Sequence, residues 1–529
     1  MWLMRHRFDP DLQKWVKKNL GFLVREEREE FESNFEFQEN NKNTTHSQVE
    51  GRMISGIWFE KLVAGYFAQK YRFFAFPKRE ERLSNEETKH LLNNPTWDVF
   101  WHPVFSYQKY VAEADFLKRN EDGFDLYEVK CVTNIRTKKI KNNLFADFVY
   151  QCWVIKNAGY KIKNVYLIYL DKDYFYIDKL ETRHLMKISN EFNRPQLKIT
   201  DISSELNKYA EWLQLPFEEI KKRLLSSDCA ETKSVFCTHI VQKIKAKHSW
   251  MELYRLRRVI KASLYVDNHN KQLDLKKISL HSYKFTAKQQ RQIKVIQKLE
   301  PMLLNVEKLK ETLQNYRFPI YFYDFETSQI AIPKFSQATP YLQIPFQYSI
   351  HVVLNKNFNL KTSKNIVHYE FIAKDLTDPR MNFLKNFLHD MQSHGDGTYV
   401  AYNIAFEKTI LKSLLLRLKV NDFARKKTNE IIDQTIDLMD FFREFNVYHH
   451  NFHGSLSIKS TLPALVPKFN YQNLAIQKGN QASNIYFDYL HEQISQEEWS
   501  DLQSDLLKYC GLDTWAMLVM YDKFCKMTQ

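Results

Sequence analysis

Glycine is scarce in this sequence, which contains 11 glycines among 529 residues. That frequency is far below the usual value of about 7%. A genome rich in A and T, whose codons favour Phe, Tyr, Lys, Asn and Ile, accounts for most of the shortage. Because glycine adopts many turn conformations that strain other residues, we expect the few glycines present to lie where the backbone requires them.

Cysteine and long apolar runs are also rare. Six cysteines without a CxxC pair argue against both a disulfide framework and a zinc ribbon. No segment approaches the ~18 consecutive apolar residues of a membrane span, and residues 1–20 lack the apolar core of a secretion signal. We therefore expect a cytoplasmic protein without a membrane partner.

The length and composition indicate a multidomain globular protein. The chain has 529 residues, 44% hydrophobic and 26% charged, whereas one compact domain usually takes ~150 residues. Polar tracts and changes in periodicity indicate four segments, with α/β or α+β character overall. These are a charged segment at residues 1–47, mixed segments at 48–235 and 318–529, and a basic helical connector at 236–317. Within them the patterns predict a helix at about 144–158, a strand at 164–170 and mainly helical structure from about 174 to 315.

Most of the net charge of +14 lies in the connector. Residues 240–318 contain eighteen Lys or Arg residues and six acids. Such an excess is typical of a surface that binds phosphates, although a solvated helical face gives the same pattern. The candidate phosphate-binding residues are Lys243, Lys245, Lys247, Arg255, Arg257 and Arg258.

Asp115, Glu128 and Lys130 form a first group with catalytic potential. Segments 110–118 and 124–132 have alternating apolar residues and flank an Asp-Gly pair, which predicts a β-hairpin. A two-residue loop places Asp115 opposite Lys130, whereas a four-residue loop places it opposite Glu128. In either register the carboxylates can hold Mg²⁺ and the ammonium can polarise a metal-bound water. A charge pair on a solvated sheet face is the alternative interpretation.

The sequence around these residues resembles the PD-(D/E)xK nuclease motif in its RecB-like form. The similarity lies in Glu113-Ala114-Asp115-Phe116 and Tyr127-Glu128-Val129-Lys130. The resemblance implies a further acidic ligand, Glu60, on a preceding helix and a glutamine, Gln151, on the helix that follows. Relatives with an iron–sulfur cluster bind it through one cysteine before the motifs and three after. Cys229 and Cys237 do not reproduce that spacing, so we expect no cluster.

A second group of acids lies in the C-terminal segment. Asp324 and Glu326 share one face at the end of an apolar strand, where buried carboxylates require a cationic partner such as a metal. A short strand near residue 400 leads into a helix that carries Glu407. Tyr509 and Asp513 are four residues apart on one face of an apolar helix. In isolation, each of these pieces is more often structural than catalytic.

In this order, the pieces resemble the DEDD exonucleases of the DnaQ-like, RNase H-fold superfamily. The metal ligands implied by the resemblance are Asp324, Glu326, Glu407 and Asp513. Such acids bind two divalent ions, and Tyr509 would help to orient the attacking water. Glu407 stands where the family usually has an aspartate. Asp437 is an alternative or additional ligand, and Asp433 is less favoured.

Residues 50–525 as a whole resemble one bacterial family, domain of unknown function 2779, which joins a RecB-like nuclease domain to a DnaQ-like exonuclease domain. The most specific similarity lies in Asp324-Phe325-Glu326-Thr327, Pro345-Phe346-Gln347-Tyr348-Ser349 and the stretches 454–459, 462–465 and 509–517. The resemblance implies a PD-(D/E)xK fold for residues 48–235 and an RNase H-like fold for 318–529. It supplies no substrate.

Together these features predict a metal-dependent nuclease. We expect Mg²⁺ or Mn²⁺ as the cofactor and nucleic acid as the substrate and partner, with DNA favoured over RNA. Two alternatives stay open, a nucleic-acid-binding scaffold in which one or both sites have decayed and an RNA-processing exonuclease. Non-specific binding through the basic connector would weaken steeply as the salt concentration rises.

Overall fold

A computed structural model of the protein describes most of the residues on which these predictions rest. The described residues are 48–76, 85–135, 138–190, 202–204, 206–207, 216, 248, 252–255, 275–276, 278, 284–300, 302–469, 475–476 and 479–529. Segment 1–47 and about half of the predicted connector 236–317 lie outside them. None of the described helices is long and apolar enough to cross a membrane.

The protein is a mixed α+β, multidomain molecule, as predicted, and its described residues divide into two compact units. Unit 1 contains the described residues of Met1–Leu213 together with Gln329–Leu342. Unit 2 contains those of Gln214–Ser328 and Gln343–Gln529. Each unit has its own main sheet and its own hydrophobic core, as expected for a chain too long for a single core.

Unit 1 is built from helices on both sides of a sheet. Its helices are α1 (Gln48–Ala68), α2 (Asn85–Asn93), α3 (Lys138–Asn157) and α4 (Thr182–Leu185). Its strands are β1 (Phe73–Ala75), β2 (Val99–Trp101), β3 (Val104–Tyr107), β4 (Tyr110–Glu113), β5 (Phe116–Asn120), β6 (Gly123–Lys130), β7 (Ile162–Leu170) and β8 (Met186–Ser189). Six strands form one sheet in the order β1-β2-β5-β6-β7-β8, while β3 pairs with β4 separately.

The central strands of this sheet combine an antiparallel meander with a parallel crossover. Strands β2, β5 and β6 are antiparallel neighbours, and β7 lies parallel to β6 after the helix α3. Phe67 of α1 packs against Phe116 and Tyr127 on one side, and Phe148 of α3 belongs to the separate cluster that contains Leu126. Cover on both faces explains why β6 is buried along nearly its whole length.

The β5–β6 hairpin has the register that places Asp115 level with Glu128, which the sequence analysis expected from a four-residue loop. The loop itself is shorter, because Asn120 pairs with Gly123 and leaves only residues 121–122 between them. It is therefore displaced by one residue from the predicted two-residue loop at 122–123. Gly123 has a φ of 135°, and a Cβ atom there would lie 2.4 Å from the carbonyl oxygen of Lys161. Both observations require glycine at this position.

Two predictions about the strands of unit 1 are wrong. The sequence predicts one strand over residues 110–118, but the structure divides it into β4 and β5. The break occurs because Asp115 turns from the β3–β4 ladder into the main sheet, where its carbonyl accepts from the backbone N–H of His102 at 3.1 Å. The segment after residue 174 is predicted to be helical, yet β8 extends the sheet beside β7. Only Met186 is buried in this short edge strand. The sequence therefore lacks the alternation of apolar and polar residues from which a strand is predicted.

Unit 2 is the larger of the two. Its helices are α5 (Ala287–Ile296), α6 (Val306–Gln314), α7 (Arg380–Asp390), α8 (Ala405–Arg417), α9 (Asp422–Gln434), α10 (Asp440–Arg443), α11 (Ile458–Leu465), α12 (Gly479–Leu490) and α13 (Gln496–Met527), with a 3₁₀ helix at His450–Phe452. Its strands are β9 (Leu303–Leu304), β10 (Ile320–Ile330), β11 (Leu342–Val353), β12 (Ile366–Ile372), β13 (Thr398–Ala401), β14 (Ile436–Asp437) and β15 (Val447–Tyr448).

A five-stranded sheet with the order β12-β11-β10-β13-β14 forms the centre of unit 2. Strands β11 and β12 are antiparallel, whereas β13 lies parallel to β10 and to β14. Strand β10 therefore lies in the centre. Strands β11 and β12 extend the sheet on one side of it, and β13 and β14 extend it on the other. The apolar strand predicted at residues 320–325 is confirmed as the start of β10, which is almost completely buried.

Side-chain hydrogen bonds fix the long helix α13 against β11. The side-chain amide of Gln347 donates to the carbonyl of Leu506 at 2.7 Å, and the hydroxyls of Ser349 and Thr514 are hydrogen-bonded at 2.7 Å. The helix predicted around residues 506–514 is confirmed and is much longer, because it begins at residue 496 with a capping box. These bonds determine where Asp513 lies relative to the sheet.

Candidate metal centres

Three side chains that can bind a metal converge in unit 1. Glu60, His102 and Asp115 each offer one ligand atom, and these atoms lie within 4.8 Å of one another. Glu60 comes from α1, His102 directly follows β2, and Asp115 directly precedes β5. The structure thus brings the predicted helix residue Glu60 to the predicted hairpin residue Asp115.

His102 is a candidate ligand that sequence reasoning missed. Its Nε2 forms a short hydrogen bond with Glu60 Oε1, and Trp101 Nε1 donates to the same oxygen at 2.7 Å. Its φ of 58° turns the chain sharply at the end of β2, a conformation that histidine adopts more readily than most residues. The only sequence feature that could have indicated His102 is its position directly after the apolar residues 99–101. This position suggests a metal ligand only when β2 is known to pair with β5.

Glu128 and Lys130 lie beside this group on β6. Lys130 Nζ donates a short hydrogen bond to Glu128 Oε1, and the side-chain amide of Gln151 in α3 donates to Oε2 at 2.7 Å. The Oδ2 atom of Asp115 accepts from the backbone N–H of Val129 at 2.6 Å, which holds this carboxylate against β6. All the residues predicted for the first site therefore lie together.

The charges in this site perturb one another strongly. Burial, followed by the negative charge of Glu128, raises the pKa of Asp115 well above its usual range, although Lys130 opposes the shift. Burial lowers the pKa of Lys130, but attraction to Glu128 and Asp115 outweighs it, so the net shift of this pKa is upward. Lys130 is therefore an ammonium at neutral pH. It is suited to stabilising negative charge and not to accepting a proton.

Asp324, Glu326 and Asp513 form a second cluster, in unit 2. One oxygen of each carboxylate lies within 4.8 Å of the others. Asp324 and Glu326 are two residues apart on β10, so both side chains project from the same face. Asp513 reaches them from α13. The sequence prediction placed these three acids in one site, and the structure brings them together.

Glu407 adds a fourth carboxyl group to this cluster. It lies in the first turn of α8, close enough to Asp324 for each carboxyl group to shift the pKa of the other. The residue is 2% exposed, and its Oε2 atom has no hydrogen-bond partner among the described residues. A buried carboxyl oxygen without a partner is costly unless something else contacts it. Asp324 has the strongest electrostatic effect on Glu407, and it also belongs to the group with Glu326 and Asp513.

Burial and mutual repulsion raise the pKa values of these acids. Burial, followed by the charge of Asp513, raises the pKa of Asp324 to about 8. Burial, followed by the charge of Asp324, raises the pKa of both Glu326 and Glu407 well above the usual range. Carboxyl groups packed in this way cannot all ionise at neutral pH without a cation between them. The charge of Lys459 opposes these shifts without cancelling them, so the cluster retains negative charge that a bound cation would compensate.

Tyr509 lies at the same cluster and has a partner that sequence reasoning missed. Lys459 Nζ donates to the phenol oxygen at 2.7 Å and lies 4.4 Å from the centre of the Tyr509 ring. Burial and then the charge of Asp513 raise the pKa of Tyr509, so its phenol stays protonated. Lys459 belongs to the stretch 454–459 that carries the family resemblance. It was not assigned a role because its approach to Tyr509 depends on how α11 packs.

Asp437, the predicted additional ligand, instead organises the turn before α8. Its Oδ1 atom accepts from the backbone N–H groups of Asn403 at 2.8 Å and Met439 at 3.0 Å. Its Oδ2 atom pairs with Arg443 at 3.2 Å. Like Glu407, Asp437 lies outside the group of three acids whose ligand atoms are all within 4.8 Å of one another, although its charge helps to raise the pKa of Glu407. Asp433 is exposed on α9.

The predicted phosphate-binding set is represented by one described residue. The guanidinium of Arg255 lies 5.2 Å from the centre of the Tyr254 ring. Outside the described residues lie Lys243, Lys245, Lys247, Arg257 and Arg258, together with Cys229 and Cys237.

Comparison with known proteins places the chain near uncharacterised bacterial proteins. Residues 321–457 match a family described as a domain of unknown function, DUF2779. This match includes Asp324, Glu326 and Glu407 but ends before Tyr509 and Asp513. No solved structure matches the chain.

Three curated relatives have similarity over part of their length. The chain is 27% identical over 222 residues to the uncharacterized protein MG366 of Mycoplasma genitalium, which covers 40% of this chain and 32% of the relative. It is 26% identical over 224 residues to the MG366 homolog of Mycoplasma pneumoniae, covering 40% and 33%. It is 24% identical over 216 residues to the uncharacterized protein UU173 of Ureaplasma parvum, covering 38% and 30%. The chain thus spans about a third of the length of these relatives.

Proposed function

We propose that the protein is a Mg²⁺- or Mn²⁺-dependent nuclease with one site in each unit. The observation that carries the proposal is the cluster of Asp324, Glu326 and Asp513, with the buried carboxyl group of Glu407 beside Asp324. Its donor atoms are all carboxylate oxygens, which Mg²⁺ and Mn²⁺ prefer. The buried Oε2 atom of Glu407, which lacks a hydrogen-bond partner among the described residues, fits the same interpretation.

The topology of unit 2 supports an RNase H-like exonuclease fold for this site. The strand order changes direction at β10, and ligand sites in open α/β sheets lie at such switch points. Strand β13 pairs with β10 only as far as Phe322. Asp324 therefore follows the paired segment directly, at the end of the sheet where β13 turns into α8 and delivers Glu407.

The topology of unit 1 supports a RecB-like PD-(D/E)xK fold in the same way. Helix α1, the meander β2-β5-β6, helix α3 and the parallel strand β7 follow one another, and each contributes to the site or to its support. The donor set of Glu60, His102 and Asp115 can hold one divalent ion. Glu128, oriented by Gln151, and the ammonium of Lys130 lie next to it.

In the second site the residues divide into metal ligands and residues that place the nucleophile. Bound metal ions would supply an activated water and would stabilise the departing oxygen. Asp324, Glu326 and Asp513 would hold one ion. Asp324 and Glu407 would hold a second one. Lys459 donates to the phenol oxygen of Tyr509, which leaves the phenol O–H proton to be donated towards the water or the phosphate.

In the first site Lys130 is the positioning and charge-stabilising group. Its ammonium contacts Glu128 and would lie beside a phosphate whose oxygen reached the ligands Glu60 and Asp115. A scissile phosphodiester gains negative charge on its non-bridging oxygens in the transition state, so a fixed ammonium lowers the barrier. DNA is the proposed substrate, because the basic excess suits a polyanion and nothing in these sites reads a 2′-hydroxyl.

A cleavage assay on end-labelled single-stranded DNA, duplex DNA and RNA tests the proposal. Wild type should cut at least one substrate with Mg²⁺ or Mn²⁺ and none in EDTA. Asp324→Ala should remove the activity of the second site and Lys130→Ala that of the first. The exposed Asp501→Ala and Lys163→Ala are matched controls and should cleave like wild type. Binding without metal-dependent cleavage would instead favour a nucleic-acid-binding scaffold, and cleavage confined to RNA would favour an RNA-processing enzyme.

A further inference from the structure

Unit 2 contains another group of potential ligands, His248, Glu252 and His453, which the proposed nuclease does not use. One atom from each of them lies within 4.8 Å of the other two. The Nδ1 atom of His248 lies 3.3 Å from Glu252 Oε2, and the Nδ1 atom of His453 lies 3.3 Å from Glu252 Oε1. Two imidazoles thus present the same ring nitrogen to one carboxylate.

The burial of this group makes an ordinary ion pair a poor explanation. The side chain of Glu252 is completely buried and that of His248 nearly so, while His453 is 41% exposed. Charge-assisted hydrogen bonds to a carboxylate are about 2.7–2.9 Å long. The two contacts here are longer, although both imidazoles lie beside a buried carboxylate that must be compensated.

A tetrahedral metal accounts for the spacing better. Zinc binds histidine nitrogen and carboxylate oxygen at about 2.0–2.1 Å, so neighbouring ligand atoms of a tetrahedral site lie about 3.3 Å apart. Each imidazole nitrogen lies at that distance from its own oxygen of Glu252, Oε2 for His248 and Oε1 for His453, so the carboxylate can contribute one or both oxygens to the ion. Two histidines and one glutamate are also a donor set that zinc uses with a water as the fourth ligand. The partial exposure of His453 leaves access for that water.

The backbone around the group is held rigidly, as a preformed metal site requires. The side chain of Gln292 in α5 donates to the carbonyl of Glu252 at 2.6 Å and accepts from the backbone N–H of Tyr254 at 2.9 Å. His453 has a φ of 49°. In the next residue, Gly454, a Cβ atom would lie 2.2 Å from the carbonyl oxygen of Glu252. Only glycine at position 454 allows the backbone to pass this close to Glu252. This close approach places the side chain of His453 beside the Glu252 carboxylate.

We propose that His248, Glu252 and His453 form a zinc site that is separate from both nuclease centres. The ion would tie the segment after the 3₁₀ helix to Glu252, and this segment leads through residues 454–457 into α11. Helix α11 carries Lys459, which contacts Tyr509. The zinc site would therefore stabilise unit 2 and support the second nuclease site without taking part in cleavage.

Metal analysis of the full-length protein tests this inference without relying on nuclease activity. The protein is prepared without a polyhistidine tag, stripped with chelator, and titrated with Zn²⁺ in millimolar Mg²⁺. Mg²⁺ competes for the carboxylate clusters but poorly for imidazole ligands. His453→Asn is the test variant, because it removes the imidazole at a backbone conformation that asparagine tolerates. His389→Asn removes a histidine that is 79% exposed and serves as the control.

Wild type and His389→Asn should each bind about one equivalent of Zn²⁺ more than His453→Asn, whose affinity at this site should be at least about tenfold weaker. Any Zn²⁺ held by His102 in unit 1 is common to all three proteins. Zn²⁺ should raise the melting temperature of the first two proteins by more than that of the third. Co²⁺ should give the more intense visible absorption of a tetrahedral site in wild type and His389→Asn than in His453→Asn. The inference is overturned if wild type binds no Zn²⁺ under these conditions or if His453→Asn binds it as tightly. Loss of DNA cleavage alone would bear on the nuclease proposal and not on this site.

Discussion

Asp324 connects the two halves of the carboxylate cluster in unit 2. One of its oxygens lies within 4.8 Å of ligand atoms of Glu326 and Asp513, and its charge also raises the pKa of Glu407. Burial and the charge of Asp513 raise its pKa to about 8. The same crowding that suits a pair of divalent ions therefore makes the metal-free protein bind protons in this site.

The raised pKa of Asp324 predicts a stability that depends on pH and metal. An acid whose pKa rises on folding, here from 3.8 to about 8, binds protons as the chain folds. The metal-free protein should therefore lose stability as the pH rises from about 4 to 8. Asp324→Asn should reduce this loss, of which Glu326 and Glu407 contribute the rest. It should make the protein more stable in EDTA at pH 8, by at least about 1 kcal/mol.

Thermal unfolding at pH 5 and pH 8, in EDTA and in Mn²⁺, measures this effect. Mn²⁺ should stabilise wild type more at pH 8 than at pH 5 and should have little effect on Asp324→Asn. The exposed Asp501→Asn on α13 controls for the loss of one charge. If Asp324→Asn is less stable than wild type in EDTA at pH 8, the cluster is not a repulsive cation site.

Lys459 and Tyr509 should act as one unit in cleavage. Lys459→Met keeps the length of the side chain but removes the donor to the phenol, so we expect the rate of the second site to fall by about 10- to 100-fold. Tyr509→Phe should cost a similar factor, and the double variant should be little worse than either single one. Single-turnover rates measure this coupling. Additive losses would mean that the contact between the two side chains has no role in catalysis.

At the scale of the elements, the helices and strands that could be predicted are those marked by a pattern of neighbouring residues in the sequence. Alternation and the Asp-Gly pair predicted the β5–β6 hairpin, and apolar periodicity predicted α3, β7, β10 and α13. His102 had no such signal, because its role depends on the pairing of β2 with β5. Lys459 was overlooked for the same reason, since its contact with Tyr509 crosses 50 residues of sequence.

The hairpin of unit 1 should depend on Gly123. Ala at this position would have to adopt a φ of 135° with its Cβ atom 2.4 Å from the Lys161 carbonyl oxygen. We expect Gly123→Ala to destabilise the protein by about 2 kcal/mol or more. Gly56→Ala is the control, because Gly56 lies in α1 with no atom within 4 Å of its Cβ position. That change should stabilise the protein by roughly 0.5–1 kcal/mol. Equal denaturation midpoints for the two variants would contradict the proposed strain.

At the scale of the whole molecule, the sequence predicted an α+β, multidomain protein and named residues that the structure brings together in two places. It did not predict the strand β8 or the break between β4 and β5, because both depend on the tertiary sheet. Asp437, predicted as an alternative or additional ligand, has oxygens that accept hydrogen bonds from Asn403, Met439 and Arg443. Sequence spacing cannot show how a carboxylate is oriented.

The most direct test of the nuclease proposal is a time course with 5′-labelled single-stranded DNA and Mn²⁺. We predict that Lys130→Ala, which retains only the second site, shortens the DNA stepwise from its 3′ end. The double variant Lys130→Ala, Asp324→Asn should leave the DNA intact. Undiminished shortening by that double variant would contradict the account, because neither carboxylate cluster would then be responsible for cleavage.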